Sequence, residues 1–272
     1  MKDRLKILYI CPEITPYIPS TEVADICRNL PQIVQEKGSE IRTFMPCYGT
    51  INERRNQLHE VQRLSGMNLI IDESDHPLII KVASIQAARM QVYFIDNDDY
   101  FKRKGIYGAP DEDVLFEDND ERSIFFIRGV LETVKKLRWT PDIIHCHGWM
   151  TATAPIYIKK IYSSDPFFEH SKIVYSVYDH ALDGVMRKGF DKRVMLEGLE
   201  LKDLKGVKGK EVTTKMLDYL ALEFSDAIID VSKDPDAEMS KYIKKHKLPY
   251  VKHNPESYTD DYIEFYKQLT AE

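Results

Sequence analysis

The run KILYICPE at Lys6–Glu13 decides the predicted fold of this chain. Its first five residues are rich in β-formers and predict a strand that ends close to a carboxylate. A proline-rich turn follows, and apolar side chains then recur on one helix face from about Val23 to Lys37. Ile41–Met45 predicts a second strand. The stretch therefore predicts a β-α-β unit with a right-handed crossover and parallel strands.

The rest of the chain alternates strands and helices in the same manner. Helical patterns cover about 121–137, 151–162 and 214–224, and apolar strand patterns cover 141–145, 173–177 and 227–231. The alternation predicts an α/β fold of the Rossmann-like, doubly wound class, with a mainly parallel sheet and helices on both faces. Within the first helix, Pro31 predicts a kink or a new turn, and Gly38 is expected at the C-terminal cap.

Three further segments complete a predicted single domain over residues 1–272. Short alternating runs over about 58–95 predict a small β-rich insertion, antiparallel or mixed, beside the main sheet. Nine Lys or Arg residues between Met186 and Lys215 predict a mobile, Lys-rich loop over 185–215. An apolar pattern over about 258–269 predicts a closing helix.

Length and composition exclude several classes of protein. With 272 residues, 43% of them hydrophobic and 30% charged, the chain can bury a core and is not predicted to be disordered. A formal net charge of −6 disfavours a nucleic-acid partner. No apolar run approaches the roughly 20 residues of a membrane helix, and no signal-peptide pattern is present, so a membrane partner is not expected.

The cysteines, glycines and histidines bear on cofactors and metals. Four widely spaced cysteines without a CxxC pair favour reduced thiols and a cytoplasmic protein. Neither GxGxxG nor GxxxxGK[ST] occurs, so no cofactor is expected. His145 and His147 form an HxH pair on one strand face, a spacing that zinc can use. Because no matched third ligand is visible in the sequence, a hydrogen-bonded pair is favoured over a metal site.

Polar residues collect at the ends of the predicted strands. Ligands of open parallel sheets bind at the carboxyl ends of the strands, so this clustering predicts a binding cleft. Asp25, near the start of the first helix, fits either a capping role or a ligand contact, and capping is favoured. The residues that follow the four strands are Glu13, then His145 and His147, then Tyr178, Asp179 and His180, then Ser232 and Lys233.

Several motifs, taken in order, resemble the bacterial glycogen synthase and plant starch synthase family. The resemblance runs from about residue 5 to residue 184 and continues more weakly through Ser225–Ser232. The motifs are Lys6–Glu13, Val23–Asp25, Leu30-Pro31, Met45-Pro46, Tyr48-Gly49, Val92–Asp96, Tyr100-Phe101, Tyr107-Gly108, Asp118-Asn119 with Arg122, and Pro141–Trp149.

The resemblance implies a fold and an activity. Such enzymes are retaining glucosyltransferases that move glucose from ADP-glucose to the end of an α-1,4-glucan, without an essential metal. Their GT-B fold has two Rossmann-like domains, and this chain is similar to the N-terminal half, which mainly handles the glucan. The resemblance implies substrate-binding candidates at Glu13, Asp25, Tyr48, Asn119, Arg122, His145, His147, Trp149 and Asp179.

The chain departs from the family pattern at the loop that approaches the donor diphosphate. The family has Lys-Thr-Gly-Gly-Leu, whereas this chain has Pro19, Ser20, Thr21 and Glu22 before Val23. Proline removes an amide donor, the glycines that admit close backbone approach are absent, and Glu22 places a negative charge beside the phosphates. The sequence therefore predicts that ADP-glucose is not bound in the family manner.

A second departure follows the strand at 141–145. The family pattern His-x-His-Asp-Trp-His becomes His145-Cys-His-Gly-Trp-Met150, so Gly148 replaces the aspartate and Met150 replaces the histidine that contacts the reacting sugar. The family's Ile-His-Asn becomes Val177-Tyr178-Asp179. Fold positions persist while ligand positions differ, and no catalytic residue is assigned.

Three functions remain open from the sequence. The favoured one is a non-catalytic family member, lacking the second nucleotide domain, that binds glucan or a protein partner and regulates glucan metabolism. The second is a half-size glucosyltransferase that needs a partner chain or a homodimer to cover its open cleft. The third is an unrelated small-molecule binding module on a Rossmann-like scaffold.

Overall fold

The computed structural model describes residues 4–110, 112, 114–180, 184–234 and 236–271. Its strands are β1 Lys6–Ile10, β2 Glu40–Pro46, β3 His59–Glu60, β4 Met67–Ile71, β5 Ser74–Ile85, β6 Met90–Asp96, β7 Ile143–His147, β8 Lys172–Val177, β9 Ala227–Asp230 and β10 Tyr250–Lys252. Its α-helices are α1 Glu22–Glu36, α2 Asp98–Phe101, α3 Asn119–Lys136, α4 Thr153–Lys160, α5 Phe190–Arg193, α6 Thr214–Phe224, α7 Ala237–His246 and α8 Tyr258–Ala271.

Seven parallel strands form the centre of one ten-stranded sheet, in the order β10-β9-β8-β7-β1-β2-β6. The chain winds outward from β1 through β2 to β6 on one side, and from β7 to β10 on the other. The order therefore reverses between β1 and β7, as in doubly wound folds. The predicted α/β, mainly parallel, Rossmann-like fold is confirmed.

Strand register places the helices on both faces of the sheet. His145 of β7 contacts Tyr266 of α8, whereas the next residue, Cys146, points to the opposite face. Tyr175 of β8 is the register partner of Cys146, and its hydroxyl donates to Asp218 of α6. Thus α8 covers one face, together with α1, and α6 covers the other, together with α4 and α3.

The β-rich segment predicted over 58–95 extends the main sheet. Strands β3, β4 and β6 each pair antiparallel with β5. However, β6 also pairs parallel with β2, from Thr43 opposite Val92 to Pro46 opposite Ile95. The prediction of an insertion beside the sheet was therefore wrong for β6, because alternation within a strand does not reveal which neighbour it pairs with.

Local chemistry sets the ends of α1. Thr21 is the N-cap, with its Oγ1 accepting from the amide of Ala24 at 3.0 Å. The helix runs unbroken through Pro31, so the predicted new turn was wrong. After the last helical residue, Gly38 adopts a φ of +100° that L-residues rarely adopt, as a C-terminal stop requires.

The Lys-rich segment at 185–215 contributes to the core. Val185 forms an antiparallel bridge with Thr213, and the segment contains helix α5. Its charged residues alternate with apolar side chains that are buried, namely Phe190, Val194, Leu204, Val207 and Val212. Its mobility stays a prediction. The closing segment forms α8, and none of the helices in the described ranges has the length and apolar character that crossing a bilayer requires.

The turn after β2 depends on a close approach of two backbone segments. Gly49 donates its amide hydrogen to the carbonyl of Phe101 at 2.6 Å, next to the end of α2. A Cβ at Gly49 would lie 2.2 Å from the backbone oxygen of Lys102, well inside van der Waals contact. A side chain here would therefore force the two segments apart.

We expect Gly49→Ala to lower the free energy of unfolding by about 2–3 kcal/mol, because backbone atoms yield less readily than side-chain ends. Urea denaturation followed by circular dichroism measures the change. Gly206→Ala is the matched control, since a Cβ there meets nothing within 4 Å. Equal stability of the two variants would contradict the close-approach argument.

Candidate functional site

The described residues enclose a cavity of about 280 Å³ beside the carboxyl ends of β1, β7 and β8, where the strand order reverses. It is lined by Pro12, Glu13, Thr21, Glu22, Val23, Tyr107, Leu115, Gly148, Trp149, Met150, Tyr178, Asp179, His180 and Lys233. A larger groove of about 640 Å³ lies between α8 and the start of β1, and no predicted site residue is among the described residues that line it. The smaller cavity is therefore the candidate site.

Glu13 is held in place at the end of β1 by two hydroxyl groups. Tyr107 donates to its Oε1 and Thr21 donates to its Oε2, each at 2.6 Å. Burial and the adjacent Glu13 carboxylate raise the pKa of Tyr107 well above its usual value, so the phenol keeps its proton and remains a donor. The carboxylate thus has a defined orientation at the cavity wall.

The loop at 19–22 is organised by contacts within the chain. Thr21 caps α1 and also donates to Glu13, while Pro19 and Ser20 are exposed and do not line the cavity. Asp25 accepts from Ser20 at 2.5 Å and from Thr15 at 3.2 Å. The favoured capping role of Asp25 was wrong, because Thr21 occupies the N-cap position.

The two histidines of β7 are fully buried beneath the cavity. The Nδ1 of His145 lies 2.6 Å from the hydroxyl of Tyr266, and its Nε2 lies 2.7 Å from that of Ser176. The Nδ1 of His147 lies 2.7 Å from the hydroxyl of Tyr178. Burial lowers the pKa of His147 to about 3 and that of His145 well below its usual value, so both rings are neutral at pH 7.

The residues after β7 form one wall. Gly148 has φ +68° and ψ 172°, a combination that is essentially restricted to glycine. The ring of Trp149 is tilted against Tyr107 with 5.2 Å between centroids, and Met150 is fully buried. The wall thus has Gly148 and Met150 at the two positions where the resemblance implies an aspartate and a histidine, with Trp149 between them.

The opposite wall comes from the ends of β8 and β9. Asp179 accepts from the amide of Lys233 at 2.8 Å, and Lys233 Nζ lies 4.0 Å from Glu22. His180 lies between Asp218, at 2.6 Å, and the hydroxyl of Thr214, at 2.8 Å. The Asp179–Lys233 hydrogen bond thus joins the ends of β8 and β9, and the His180 contacts join the segment after β8 to α6. Ser232 lines a neighbouring depression instead.

Three of the predicted substrate-binding residues lie away from the cavity. Arg122 is fully buried, with its Nε donating to the carbonyl of Tyr100 at 2.8 Å and its guanidinium 5.8 Å from the ring centroid of Tyr48. Asn119 donates to the carbonyl of Tyr107 at 2.7 Å. Burial lowers the pKa of Arg122. Asn119 therefore holds the backbone of Tyr107, while Arg122 is engaged by Tyr100 and Asn119.

The structure brings only some of the predicted residues together. Of the candidates taken from the resemblance, Glu13, Trp149 and Asp179 line the cavity, and Asp25, Tyr48, Asn119, Arg122, His145 and His147 are not among its described lining residues. Two contributors were missed. Tyr107 had no role assigned although its motif was noted, and Tyr266 carried no signal, since it is 121 positions from His145.

Two cysteine thiols approach one histidine of the HxH pair. The sulfur atoms of Cys11 and Cys27 and a ring nitrogen of His147 all lie within 4.8 Å of one another. His145 is not part of this cluster, so the cluster differs from a site built on the HxH pair, and Cys27 reaches His147 through the crossover helix α1. His145 remains a hydrogen-bonded residue, as expected.

A family model described as the starch synthase catalytic domain matches residues 6–267. This chain belongs to the starch synthase catalytic-domain family. Because the match covers nearly the whole chain, the hypothesis of an unrelated binding module has no support.

The curated relatives of this family member are bacterial glycogen synthases. That of Chlorobium phaeobacteroides is 34% identical over 232 residues, which cover 85% of this chain and 46% of the relative. That of Chlorobium limicola is 38% identical over 185 residues, which cover 68% of this chain and 38% of the relative. The chain thus spans less than half the length of these relatives.

The fold has a solved counterpart in the catalytic domain of starch synthase IV from Arabidopsis thaliana, a structure bound to ADP and acarbose. The two match with a TM-score of 0.74 and 20% sequence identity, over 92% of this chain and 51% of that one. At this identity the likeness concerns the fold. It confirms the predicted correspondence to one half of a GT-B architecture.

We expect Gly148→Asp, which introduces the family residue, to lower the free energy of unfolding by about 1–3 kcal/mol. The nearest atom to a Cβ at Gly148 is Tyr178 Cδ2 at 3.7 Å, so the cost comes from the backbone rather than from a clash. Gly206→Asp is the control, since its φ is not positive. Urea denaturation measures both, and an unchanged Gly148→Asp would refute the assigned backbone strain.

The buried histidines predict a stability that depends on pH. Unfolding exposes both rings, so below their ordinary pKa of about 6.5 the unfolded chain takes up protons that the folded chain excludes. The free energy of unfolding should therefore fall as the pH drops from about 6.5 towards 3, by up to about 1.4 kcal/mol per pH unit for each ring.

Denaturant titrations at pH 7, 6 and 5 measure how the free energy of unfolding changes with pH. The NMR signals of the imidazole rings show which histidines cause the change. The signals of His145 and His147 should stay at their neutral positions at pH 5, with free histidine in the same buffer as reference. The exposed His170, changed to Gln, is the control for the slope. Movement of both signals between pH 7 and 5 would contradict the prediction.

Proposed function

We propose that this chain binds α-glucan at the cavity between β1, β7 and β8, and that it acts in glucan metabolism without binding ADP-glucose in the manner of its family. The observation that carries the proposal is the combination of carboxylates and aromatic rings in one cavity. Glu13, Glu22 and Asp179 line it, and Lys233 is the single Lys or Arg among the described lining residues.

The excess of carboxylates over cationic side chains in the cavity disfavours the binding of a diphosphate. At 4 Å, two like charges repel by about 1 kcal/mol in water and about 4 kcal/mol at an effective dielectric of 20. The side chain of Glu22 is 39% exposed, so its own contribution is close to the lower value. The loop also offers a diphosphate fewer hydrogen-bond donors, and this is the larger loss. Pro19 has no amide hydrogen, and the side-chain hydroxyl of Thr21 is committed to Glu13.

The same groups suit a neutral sugar. A carboxylate accepts several hydrogen bonds, so Glu13 can receive sugar hydroxyls in addition to those of Tyr107 and Thr21. Trp149 and Tyr107 present aromatic surface beside it. Ligand sites of this kind combine apolar walls with a few oriented polar groups. Acarbose in the Arabidopsis structure is itself a sugar-like ligand of a family member.

The second candidate function requires a partner chain or a second copy of this chain. It is a half-size glucosyltransferase whose cleft is covered by a protein partner or by a second copy, and the matched region spans less than half the length of the glycogen synthases compared. The four cysteines are all free, which supports a cytoplasmic setting for either function.

We expect calorimetry to detect binding of maltoheptaose and to detect no binding of ADP-glucose at millimolar concentration. Trp149→Leu should weaken maltoheptaose binding at least tenfold, because aromatic anchors dominate such sites. Trp139→Leu is the matched control, since Trp139 is similarly buried and is not among the described residues that line the cavity. Equal weakening in both variants, or no sugar binding at all, would refute the glucan site.

A second experiment separates the two functions. Replacing residues 19–22 by Lys-Thr-Gly-Gly and Met150 by His introduces the family pattern in the donor loop and at the sugar position. We expect ADP-glucose affinity to remain undetectable or weak in the isolated variant, because most of the nucleotide contacts belong to the other half of a GT-B enzyme. Glucosyl transfer by the unmodified chain, alone or with a candidate partner, would establish the enzymatic alternative.

A further inference from the structure

Two cysteines and a histidine meet at the point where the strand order reverses. Cys11 directly follows β1, Cys27 lies on α1, and His147 ends β7. All three side chains are fully buried, and their sulfur and nitrogen atoms lie within 4.8 Å of one another. The cluster lies behind the cavity wall, because Pro12 and Gly148, which follow Cys11 and His147, both line the cavity.

The imidazole of His147 is incompletely satisfied. Its Nδ1 is engaged by the hydroxyl of Tyr178 at 2.7 Å, while its Nε2 has no hydrogen-bond partner among the described residues. Leaving a buried polar atom without a partner is rare and costly in folded proteins. In metal sites, by contrast, one ring nitrogen binds the metal and the other is oriented by a hydrogen bond.

We propose that Cys11, Cys27 and His147 bind a thiolate-seeking divalent cation of the zinc class. Two thiolates and an imidazole are soft to borderline ligands, which exclude Mg²⁺ and Ca²⁺ as preferred ions. Two thiolate charges also neutralise a divalent ion, and neutrality matters in a fully buried site. Cu⁺ with the same ligands would leave a net negative charge.

The geometry requires only a small contraction. Zinc bonds of about 2.3 Å to sulfur and about 2.0 Å to nitrogen place tetrahedral ligand atoms roughly 3.5–3.8 Å apart. Separations within 4.8 Å reach that range when side chains move by about 1 Å or less. Binding converts both thiols to thiolates, releases their two protons to solvent, and uses an unprotonated ring nitrogen of His147.

A second cluster of potential metal ligands is occupied by lysine side chains instead. Cys47, Glu53 and Asp96 also approach one another within 4.8 Å. There, Lys81 Nζ lies 2.6 Å from Asp96 and 2.7 Å from Glu53, and Lys102 contacts both carboxylates as well. Lysine cations thus already fill the position between the carboxylates. At the Cys11, Cys27 and His147 cluster, by contrast, the hydrogen-bond partner of His147 is the hydroxyl of Tyr178, which carries no positive charge.

The test uses the reduced full chain and Co²⁺ as a spectroscopic probe. We expect one Co²⁺ per chain with sulfur-to-cobalt charge-transfer absorption, displaced by one equivalent of Zn²⁺, and one zinc per chain in native mass spectrometry. Cys27→Ser should weaken Co²⁺ binding at least 100-fold. Cys146→Ser is the matched control, because Cys146 is equally buried on β7 and lies outside the cluster, so its affinity should stay within threefold.

Three results would overturn the proposal. The first is the absence of stoichiometric Co²⁺ or Zn²⁺ in the reduced, unmodified chain. The second is an equal loss of affinity in Cys146→Ser and Cys27→Ser. The third is a Cys11–Cys27 disulfide, seen as a mass lower by two hydrogens, in a chain that takes up no metal after reduction. Should Cys27→Ser not fold by circular dichroism, Cys11→Ser replaces it, and the stoichiometry of the unmodified chain still decides.

Discussion

The parallel strand β1 is flanked by β2 on one side and β7 on the other, and this placement constrains everything that surrounds the site. The strand order runs outward from β1 through β2 to β6 on one side and from β7 to β10 on the other. The connections that follow β1 and β7 therefore diverge, and they leave an opening at the carboxyl ends of these strands. Glu13, the start of α1 and the turn at Gly148 all meet at that opening.

Two of the positions that differ from the family pattern suggested by the sequence make contacts within the protein, and a third has a special backbone conformation. Thr21, where the family has a glycine, caps α1 and orients Glu13. Tyr178, where the family has a histidine, engages His147. Gly148 adopts a backbone conformation that an aspartate would strain. Groups that would face a nucleotide sugar are thus used within the protein, which is consistent with a scaffold that is retained and a site that has changed.

How much of the fold and the site could be predicted from the sequence depends on how far apart along the chain the interacting residues lie. The β-α-β unit at the start of the chain follows from local periodicity, and the strand-end positions of Glu13 and Asp179 follow from the class of sheet. The helix over about 23–37 was predicted, but the pairing of β6 with β2 and the absence of a new turn at Pro31 were not, since each depends on packing by distant strands and helices. Asn119 and Arg122 were assigned to a ligand, because nothing local distinguishes a buried charged residue from a binding one.

By itself, the sequence determined the α/β class, the family and the loss of the glycine loop at residues 19–22, because each is carried by residues that are neighbours along the chain. Only the tertiary structure decided which residues share the cavity. It also decided that Cys27 approaches His147, that Tyr266 reaches His145, and that Tyr107 orients Glu13. These contacts join residues 94 to 121 positions apart, and the packing of helices on a twisted sheet fixes them rather than any local pattern.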